Sequence, residues 1–414
     1  MHPKTVVVIP GNYWQIPLVQ KSKSMGFRTL VINPYPDSAA FPYADGYLQS
    51  DIFDTENVIK YCREQKVNAI VSDVSDIAIP VMAELGYKLS LKTLNAESAQ
   101  LFTNKHAMRC FCKIHEIPIP EYQLCETVEQ AESFFDATHD QIVIKPLDCN
   151  GSRGVYTISQ RDMVCALFNK ALEFSRTQKA VLAERYIDGT EFTVDGIKTP
   201  ERHFTLAISE KKHFAHNPNI ACELYFSGYN SRYNYEALAL QNDRLIEQSP
   251  LEFGLTHAEY KYENGTFYLI EVAARGGGSL ISSHIVPFLS GVDNYQYLIE
   301  YSLGMVKCSD FTVPKRYENR CAVLHFFDVP RDGGVVSGIE GLDLLAHNTN
   351  IVKYQFNIKA GDTVADATSD ADRAGFYIAC CENQNELDAL MLEIQNNVRI
   401  ICKPSAAENE ISLA

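Results

Sequence analysis

The feature that most constrains the fold is the alternation of short apolar strands and amphipathic helices over the first hundred residues. Apolar runs at 5–9, 29–33 and 68–72 have the length of buried strands, and residues 15–25 and 55–65 between them have helical patterns. Consecutive parallel strands need such crossover helices. The sequence therefore predicts an N-terminal α/β domain with a doubly wound parallel sheet.

The turn after the first strand, Pro10-Gly11-Asn12, lacks the G-x-G-x-x-G pattern of dinucleotide sites, so we expect none there. We expect Thr55 and Asp76 to cap the helices that follow them. Farther along, residues 96–116 predict one long helix that carries Lys105 and ends at an Ile-Pro-Ile-Pro run.

Composition argues against several classes of partner. The 414 residues carry a net charge of −15 without any block of Lys and Arg, so the chain lacks the basic surface that nucleic acids require. No stretch approaches the roughly 18 apolar residues of a membrane helix, and the N-terminus lacks a signal-peptide core. We expect a cytoplasmic protein without nucleic-acid or membrane partners, and we leave a homodimer open as its assembly. The twelve cysteines lack metal-site spacing, and we expect reduced thiols.

A strand that ends in a lysine and runs into a glycine-containing loop is the first of four segments with informative polar residues. Ile142-Val143-Ile144-Lys145-Pro146 is followed by Cys-Asn-Gly-Ser-Arg-Gly-Val at 149–155. Such a loop can turn N–H groups toward phosphate oxygens, while the lysine supplies a positive charge. An ordinary strand–hairpin–strand is an equally good interpretation of this segment alone.

The second segment is a strand, a glycine turn and a second strand that begins with a carboxylate, at 183–192. A connection between two lobes leaves backbone N–H and C=O groups free to bind the edge of an adenine. Glu191 would then accept hydrogen bonds from ribose hydroxyls. Taken alone, a hairpin with an exposed glutamate is the favoured interpretation.

The last two segments flank a hairpin signal, Glu263-Asn264-Gly265. With a two-residue Asn-Gly turn, Glu259 and Glu271 would face opposite sides of the sheet. With a three-residue loop, Glu259 pairs with Leu269 and His257 pairs with Glu271, so the three polar side chains share one face. We predict the three-residue loop.

Two carboxylates on one face repel each other and are natural ligands of a hard cation such as Mg²⁺, which prefers carboxylates together with phosphate oxygens. Glu271 lies within the apolar run 268–272, and a buried carboxylate needs a cationic partner. Arg275 and a metal ion are the candidates for that partner.

Taken in order, these segments resemble the ATP-grasp superfamily over roughly residues 1–300. The pattern Gly254-x-x-His257-x-Glu259, followed by Glu271-x-Ala273-x-Arg275, is most similar to L-amino-acid ligases. Asp-Arg-Ala-Gly-Phe-Tyr-Ile-Ala at 372–379 resembles the C-terminal domain of those ligases and of biotin-carboxylase relatives. The resemblance implies an ATP-grasp fold of mixed α/β and α+β class. Its implied parts are a Rossmann-like domain at 1–95, ATP-clamping lobes at 96–187 and 188–305, and a C-terminal α+β domain at 306–414.

The resemblance also implies the site residues. Two lysines, a glycine-rich loop, an adenine hinge and a ribose carboxylate would bind ATP: Lys105, Lys145, Asn150, Gly151, Ser152, Gly154, Glu184, Tyr186, Ile187 and Glu191. The implied metal ligands are Glu259 and Glu271, for one or two Mg²⁺ ions, with Mn²⁺ as a substitute. Where the family often carries Asn, this chain has Ala273, so a second metal ion has one ligand fewer.

The expected activity is ATP-dependent ligation of a carboxylate to an amine through an acyl phosphate, with release of ADP and phosphate and an amino acid among the small-molecule substrates. Catalytic roles fall to Lys145, Arg275 and His257. Arg275 would stabilise the oxyanion with the N–H groups of 276–278, and His257 would hold a substrate or make a structural hydrogen bond to Glu271. The alternatives are a carboxylase or formyl-type enzyme that acts on a purine or biotin-like nitrogen, and a non-catalytic ATP-binding module, which Ala273 alone favours.

Overall fold

The computed structural model describes residues 3–149, 151, 153–176, 178–305, 311–314, 317–330, 333–367 and 369–403. The chain forms two compact units. The first comprises 1–206, 234–287 and 291–314, and the second comprises 207–233, 288–290 and 315–414. One parallel sheet and several antiparallel sheets, with helices between them, agree with the predicted mixed α/β class.

A four-stranded parallel sheet opens the first unit, in the order β3-β2-β1-β4. Its elements are β1 (Thr5–Val8), α1 (Ile16–Ser24), β2 (Arg28–Asn33), β3 (Gly46–Gln49), α2 (Thr55–Glu64), β4 (Ala69–Val71) and α3 (Ala78–Leu89). The strand order reverses between β1 and β4, which are buried throughout. The carboxyl ends of these strands, where α/β proteins place their ligands, therefore meet at one edge.

Two predicted helix caps in this domain are wrong. Asp54, and not Thr55, caps α2 by accepting a hydrogen bond from the N–H of Asn57. No side chain caps α3, because the carboxylate of Asp76 is engaged by Arg275 instead.

The single helix predicted at 96–116 is also wrong, because two helices occupy this stretch, α4 (Ala96–Thr103) and α5 (Lys105–Ile114). Asn104 separates them with an extended backbone, and its side chain accepts a hydrogen bond from the N–H of Ala107. The break makes Lys105 the first residue of α5.

An antiparallel sheet in the order β5-β8-β6-β7 follows in the first unit. Its elements are β5 (Tyr122–Cys125), α6 (Val128–Thr138), β6 (Ile142–Pro146), β7 (Tyr156–Ile158), α7 (Val164–Leu172) and β8 (Val181–Arg185). Apolar side chains of the strands and both helices form one core, which includes Ile142, Ile144, Phe168 and Ala183. This core supports the strand that carries Lys145.

The strands that carry the site lie within residues 190–302. The elements of this stretch of the chain are β9 (Thr190–Lys198), β10 (His203–Phe214), β11 (Asn217–Phe226), α8 (Tyr235–Gln248), β12 (Gly254–Glu263), β13 (Thr266–Ala273), a π-helical turn (Ile281–Ile285), α9 (Val286–Ser290) and α10 (Asn294–Ser302). Within the first unit, β13, β12 and β9 are antiparallel neighbours in that order.

The turn between β12 and β13 differs from the predicted loop. Asn264 and Gly265 alone form it, with φ angles of 50° and 87°, and Glu263 pairs with Thr266. Two consecutive positive φ angles are typical of the two-residue type I′ turn, whose twist matches that of a hairpin. The prediction of a three-residue loop was therefore wrong.

A bulge in β13 nevertheless brings the two glutamates together. Tyr260 pairs with Leu269, whereas the next pair joins Glu259 to Glu271, so Ile270 is an extra residue without a cross-strand partner. The bulge offsets the register of the two-residue turn. Glu259 and Glu271 therefore lie opposite each other on one face, for a reason that the sequence did not reveal.

The second unit contains two antiparallel sheets. Its elements after β11 are β14 (Cys321–Phe327), β15 (Gly334–Glu340), α11 (Leu342–His347), β16 (Ile351–Phe356), β17 (Thr363–Val364), β18 (Gly375–Cys381), α12 (Gln384–Asn397) and β19 (Arg399–Lys403). One sheet has the order β11-β14-β18-β16 and the other the order β17-β15-β19. Buried residues of β14, β18 and α12 form its core. Within the part of the chain that the structure describes, every helix is too short or too polar to cross a membrane.

Candidate active site

One face of the β13-β12-β9 sheet concentrates polar and charged side chains. Side chains two residues apart along a strand share a face, and so do directly opposed residues on neighbouring antiparallel strands. The opposed pairs on this face are Glu191 with Lys261, Thr193 with Glu259, Asp195 with His257, and Glu259 with Glu271. The structure thus brings together the three residues predicted to cluster, His257, Glu259 and Glu271.

Lys105 is the cationic partner of Glu271. Its buried ammonium donates hydrogen bonds to Oε1 of Glu271 at 2.8 Å and to the carbonyl oxygen of Cys149 at 2.7 Å. Arg275, one of the two candidates named for this role, is bound to Asp76 instead. The helix break before Lys105 therefore joins a predicted phosphate lysine to a predicted metal ligand.

Glu184 is a buried carboxylate between two cations. It accepts a hydrogen bond from Nε of Arg109 at 2.6 Å and forms an ion pair with Lys145. Burial alone would raise the pKa of Glu184, but Arg109 and Lys145 hold it below its ordinary value. Burial lowers the pKa of Lys145, and Glu184 opposes that shift. We had predicted that Glu184 would lie at the adenine hinge, partly through backbone atoms. Its side chain is instead occupied by Arg109 and Lys145, and it anchors the lysine.

Arg109 is a site residue that sequence reasoning missed. Its guanidinium is fully buried, and Nη2 donates to the carbonyl oxygen of Ile270 at 2.7 Å, at the bulge of β13. It therefore connects the Glu184 cluster to the strand of Glu271. The sequence could have indicated Arg109, because it lies one helical turn after Lys105 and therefore on the same face of α5.

Arg275 forms a two-pronged ion pair with Asp76 from the carboxyl end of the parallel sheet. Nε and Nη2 of Arg275 donate to the two carboxylate oxygens at 2.9 and 3.0 Å. Next to it, the N–H of Gly276 donates to the carbonyl oxygen of Asp73 at 2.7 Å. The N-terminal domain thus fixes both the guanidinium and the glycine turn, and Asp76 was missed because we had interpreted it as a helix cap.

His257 is buried and bound to Asp195, and not to Glu271 as one of our alternatives held. Its Nδ1 lies 3.0 Å from Oδ1 of Asp195, and its Nε2 lies 3.9 Å from Oε1 of Glu259. Burial alone would lower the pKa of His257, but the charge and hydrogen bond of Asp195 raise it to about 9. The carboxylate of Asp195 therefore favours the protonated form of His257. Ala273 lies opposite it on β13 and adds no ligand.

The predicted adenine hinge follows β8, at Tyr186 and Ile187. Nζ of Lys261 lies 4.5 Å from the centre of the Tyr186 ring and donates to the carbonyl oxygen of Ile187 at 3.2 Å. Among the described residues, the N–H of Ile187 makes no hydrogen bond. Glu191 lies opposite Lys261, on the polar face of the sheet. A backbone donor and a carboxylate thus lie along this segment.

The glycine-rich loop is described in part. Gly151 has a φ of 66°, and a Cβ atom added there would meet no atom within 4 Å. Gly154 has a φ of 73°, and a Cβ atom there would lie 2.7 Å from the ring of Phe174. The predicted loop residues Asn150 and Ser152 lie outside the described residues.

The donor set at Glu259 and Glu271 fits a magnesium ion that also binds phosphate. Among the residues that the structure describes, no three His, Cys, Asp or Glu side chains form a ready-made metal cage. The ligands supplied by the protein would therefore be two opposed carboxylates. Such a set suits Mg²⁺, which usually binds one or two carboxylates together with substrate phosphates and water.

Two protein-family models match the chain. The first describes an ATP-grasp domain and covers residues 139–284. The second describes the L-amino acid ligase C-terminal domain 2 and covers residues 325–403. The first matched range includes the buried lysine, the hinge and both glutamates, and the second lies in the second unit.

Individual proteins agree with these matches. The carbamoyl phosphate synthase large chain of Clostridium acetobutylicum is 25% identical over 65% of this chain and 25% of its own length. The L-arginine-specific L-amino acid ligase of Bacillus subtilis is 22% identical over 71% of each chain. The chain spans only 25% to 50% of the length of the first three curated relatives that it matches.

The fold is that of a solved ligase. The crystal structure of an L-amino acid ligase from Bacillus licheniformis has a TM-score of 0.83 and 18% identity, and the match covers 97% of this chain and 100% of that one. The resemblance that we inferred from motif order is confirmed: the chain carries an ATP-grasp domain at 139–284 and an L-amino acid ligase C-terminal domain 2 at 325–403.

Proposed function

We propose that the chain is an ATP-dependent ligase that activates a carboxylate as an acyl phosphate and joins it to an amine, with an amino acid as one substrate. The observation that carries the proposal is the opposed pair Glu259–Glu271, with the ammonium of Lys105 at 2.8 Å from Glu271. Phosphoryl transfer depends almost entirely on positioning and on charge stabilisation. Paired carboxylates and buried lysines are the groups that this chemistry requires.

ATP would bind along the polar face. Lys105 and Lys145 would neutralise phosphate oxygens, and the buried Glu184 cluster keeps Lys145 in a fixed position. The N–H of Ile187 would donate to the adenine edge, and Glu191 would accept from the ribose. Gly151, which has open space around it, suits a loop that closes over the phosphates.

Glu259 and Glu271 would hold the Mg²⁺ ion, which when bound neutralises charge on the phosphates. With Glu271 engaged by that ion, the ammonium of Lys105 would be able to bind a phosphate oxygen. His257 lies beside Glu259 and adds a positive charge to this end of the site.

The chemistry would proceed in two steps. An oxygen of the substrate carboxylate attacks the γ-phosphorus of ATP, so a new P–O bond forms, the bond to ADP breaks, and an acyl phosphate results. The amine nitrogen then attacks the acyl carbon, phosphate leaves, and the amine loses its proton. The N–H groups of Gly276 and Gly277 are already bound to Asp73 and Asp195, so the predicted set of N–H donors at 276–278 is reduced to Gly278. Arg275 and the N–H of Gly278 would stabilise the oxyanion of the tetrahedral intermediate, at roughly 3 kcal/mol for one such donor.

The match to the L-amino acid ligase C-terminal domain 2 favours an amino acid as one substrate. A second candidate is a carboxylase or formyl-type enzyme that acts on a purine or biotin-like nitrogen, and it is supported by the similarity to a formate-dependent phosphoribosylglycinamide formyltransferase, 22% identical over 46% of this chain. The two candidates differ in the small carboxylate that triggers ADP release, which is an amino acid in one and bicarbonate or formate in the other.

The test is a screen of ADP release with MgATP and pairs of amino acids, with products identified by mass spectrometry. We expect an amide product with the wild type and none with Lys145→Ala or Glu271→Gln. Lys170→Ala, a change in α7 outside the site, is the matched control and should keep wild-type activity. Release that depends on bicarbonate or formate alone would favour the second candidate. ATP binding without turnover for any pair would indicate a non-catalytic module.

A further inference from the structure

Asp195 lies at the centre of the polar face, and no role has been assigned to it so far. Its side chain is buried, with 1% of the residue exposed. Oδ1 receives two hydrogen bonds, one from Nδ1 of His257 at 3.0 Å and one from the backbone N–H of Gly277 at 2.8 Å. These donors come from β12 and from the turn after β13, so one oxygen atom joins two separate parts of the site.

The second oxygen of Asp195 shows that this arrangement has a cost. Among the described residues, Oδ2 is buried and has no hydrogen-bond partner. A buried polar atom left without a partner costs about 1–3 kcal/mol. An apolar side chain would avoid that cost but could accept neither hydrogen bond, so the two hydrogen bonds to Oδ1 are what the carboxylate contributes here.

Gly277 is required for the close approach. A Cβ atom added at Gly277 would lie 2.5 Å from Oδ1 of Asp195 and 2.9 Å from a side-chain carbon of Ile281. A Cβ at such a distance forces its neighbours to shift. The glycine therefore allows the turn to reach the carboxylate, and any larger residue would push the two apart.

We propose that Asp195 is a positioning residue of the ligation site, where one carboxylate oxygen holds both the ring of His257 and the glycine turn next to Arg275. The hydrogen bond to Nδ1 directs Nε2 of His257 toward Glu259, a metal-ligand candidate. The hydrogen bond from Gly277 fixes the glycine turn, and with it the next N–H along the chain, that of Gly278, beside the guanidinium. This proposal rests on the proposed function and extends it, because it couples the metal end of the site to the end that receives the oxyanion.

The coupling predicts a specific pattern of kinetic defects. Loss of the carboxylate would remove a negative charge from the polar face and the contact that orients His257 against Glu259, so the Mg²⁺ concentration for half-maximal activity should rise. The same loss would free the glycine turn and lower kcat. KM for ATP should stay close to the wild-type value, because Asp195 does not touch either lysine or the hinge. Partners that orient ligands in this way are typically worth roughly 10- to 100-fold in activity or metal affinity.

The chain offers a matched control in a second Asp–His pair. Nδ1 of His203 lies 2.6 Å from Oδ1 of Asp243. A Cβ at Gly196, the neighbour of Asp195 along β9, would meet the ring of His203, so this pair lies on the opposite face of the sheet. Asp243→Asn therefore removes the same kind of charge from the same kind of pair outside the site.

The experiment combines kinetics with NMR of protein labelled with ¹⁵N-histidine. Asp195→Ala should remove the hydrogen-bonded Nδ1–H signal of His257, lower kcat roughly 10- to 100-fold and raise the half-saturating Mg²⁺ concentration. Asp195→Asn keeps an acceptor oxygen at the position and should restore part of kcat. Gly277→Ala should shift the same signal and lower kcat, and Asp243→Asn should affect only His203.

An unchanged His257 signal in Asp195→Ala, or wild-type kcat and Mg²⁺ dependence in that variant, would overturn the proposal. The proposal would also be overturned if kcat fell equally in Asp195→Ala and Asp195→Asn while the His257 signal stayed unchanged. Should Asp195→Ala not fold, Asp195→Asn and Gly277→Ala decide the question. The NMR measurement does not depend on turnover, so it tests the positioning of His257 by itself. A wild type without amino-acid-dependent ADP release would count against the proposed function and would leave that NMR test unaffected.

Discussion

The buried charges of the site occur as pairs whose members are far apart in the sequence. Arg109 and Glu184 are separated by 75 positions, His257 and Asp195 by 62, and Arg275 and Asp76 by 199. Each cation enters a buried environment together with its carboxylate, because an isolated buried charge is too costly. The consequence is that most site residues contribute both to stability and to chemistry.

Glu184 allows these two contributions to be separated. Glu184→Ala leaves the buried cations Arg109 and Lys145 without a counter-charge and should lower the free energy of unfolding by about 3–5 kcal/mol. Lys145→Ala keeps the ion pair of Arg109 with Glu184, so it should lower the free energy of unfolding less, although ADP release is lost. Urea unfolding of both variants measures the difference. A Glu184→Ala variant that is as stable as Lys145→Ala would contradict this account.

Asp73, at the carboxyl end of β4, should make stability depend on pH. Burial raises the pKa of Asp73 from 3.8 to about 6, although hydrogen bonds from Tyr295 and Gln15 oppose the shift. A raised pKa in the folded state means that the contribution to stability is complete below pH 3.8 and is lost as the pH rises through about 6.

Asp73→Asn removes this titration. Between about pH 5.5 and 8, the wild type should lose roughly 1 kcal/mol more of its free energy of unfolding than Asp73→Asn does. Denaturant titrations at the two pH values measure the difference. Parallel pH dependences in the two proteins would show that Asp73 does not titrate in this range.

The sequence was informative for residues within recognisable segments and uninformative for their partners. Lys145 and Glu271 could be predicted, since a lysine at a strand end and a glutamate within an apolar run are unusual locally. Arg109 and Asp195 could not, because a charged residue looks exposed in the sequence until its buried partner is known. The polar alternation of β9 was the only local sign of Asp195, and it is shared by many exposed strands.

At the scale of elements, the hairpin of β12 and β13 brings the predicted cluster together although the predicted register was wrong. The sequence gives no sign of the bulge at Ile270, because a bulge depends on which residues the partner strand offers. Here the extra residue places a carbonyl oxygen against the guanidinium of Arg109. The bulge therefore satisfies a buried donor and aligns Glu259 with Glu271 in one step.

The two-residue turn makes a testable difference at Asn264. With its φ of 50°, this position is left-handed, a conformation that asparagine tolerates and alanine does not. Asn264→Ala should lower the free energy of unfolding by about 1 kcal/mol, and Asn264→Gly should be close to neutral. In a three-residue loop the residue would be right-handed, and alanine would be harmless. Thermal or urea unfolding of the two variants distinguishes the turns.

At the scale of the whole molecule, charge opposes the binding of a nucleotide. The chain has a net charge of −15, and each cation of the site already faces a carboxylate. The pairs are Lys105 with Glu271, Arg109 and Lys145 with Glu184, Arg275 with Asp76, and His257 with Asp195. Together with Glu259, which lies 3.9 Å from His257, these groups make five carboxylates for five cations. The set therefore has no excess of positive charge, and metal-free ATP would be repelled both by the molecule and by the opposed glutamates.

This charge balance predicts that removal of the metal weakens ATP binding and that neutralisation of Glu271 restores part of it. In EDTA, the wild type should bind ATP weakly. Glu271→Gln removes one repelling charge and frees the ammonium of Lys105, so this variant should bind metal-free ATP more tightly than the wild type, yet release no ADP with Mg²⁺ present. Ligand at 100 times Kd stabilises a protein by about 2.7 kcal/mol, so thermal shift in EDTA is sensitive enough to detect the difference.

The matched control for this comparison is Glu84→Gln, because Glu84 forms an exposed ion pair with Lys88 at 2.6 Å outside the site. It makes the same change in net charge and should leave the binding of metal-free ATP unchanged, since exposed charges beyond a Debye length of roughly 8–10 Å are screened. Equal gains in the two variants would mean that overall charge governs binding. No gain in Glu271→Gln would mean that Lys105 and Glu271 do not compete for the phosphates, and the assignment of both residues would have to be abandoned.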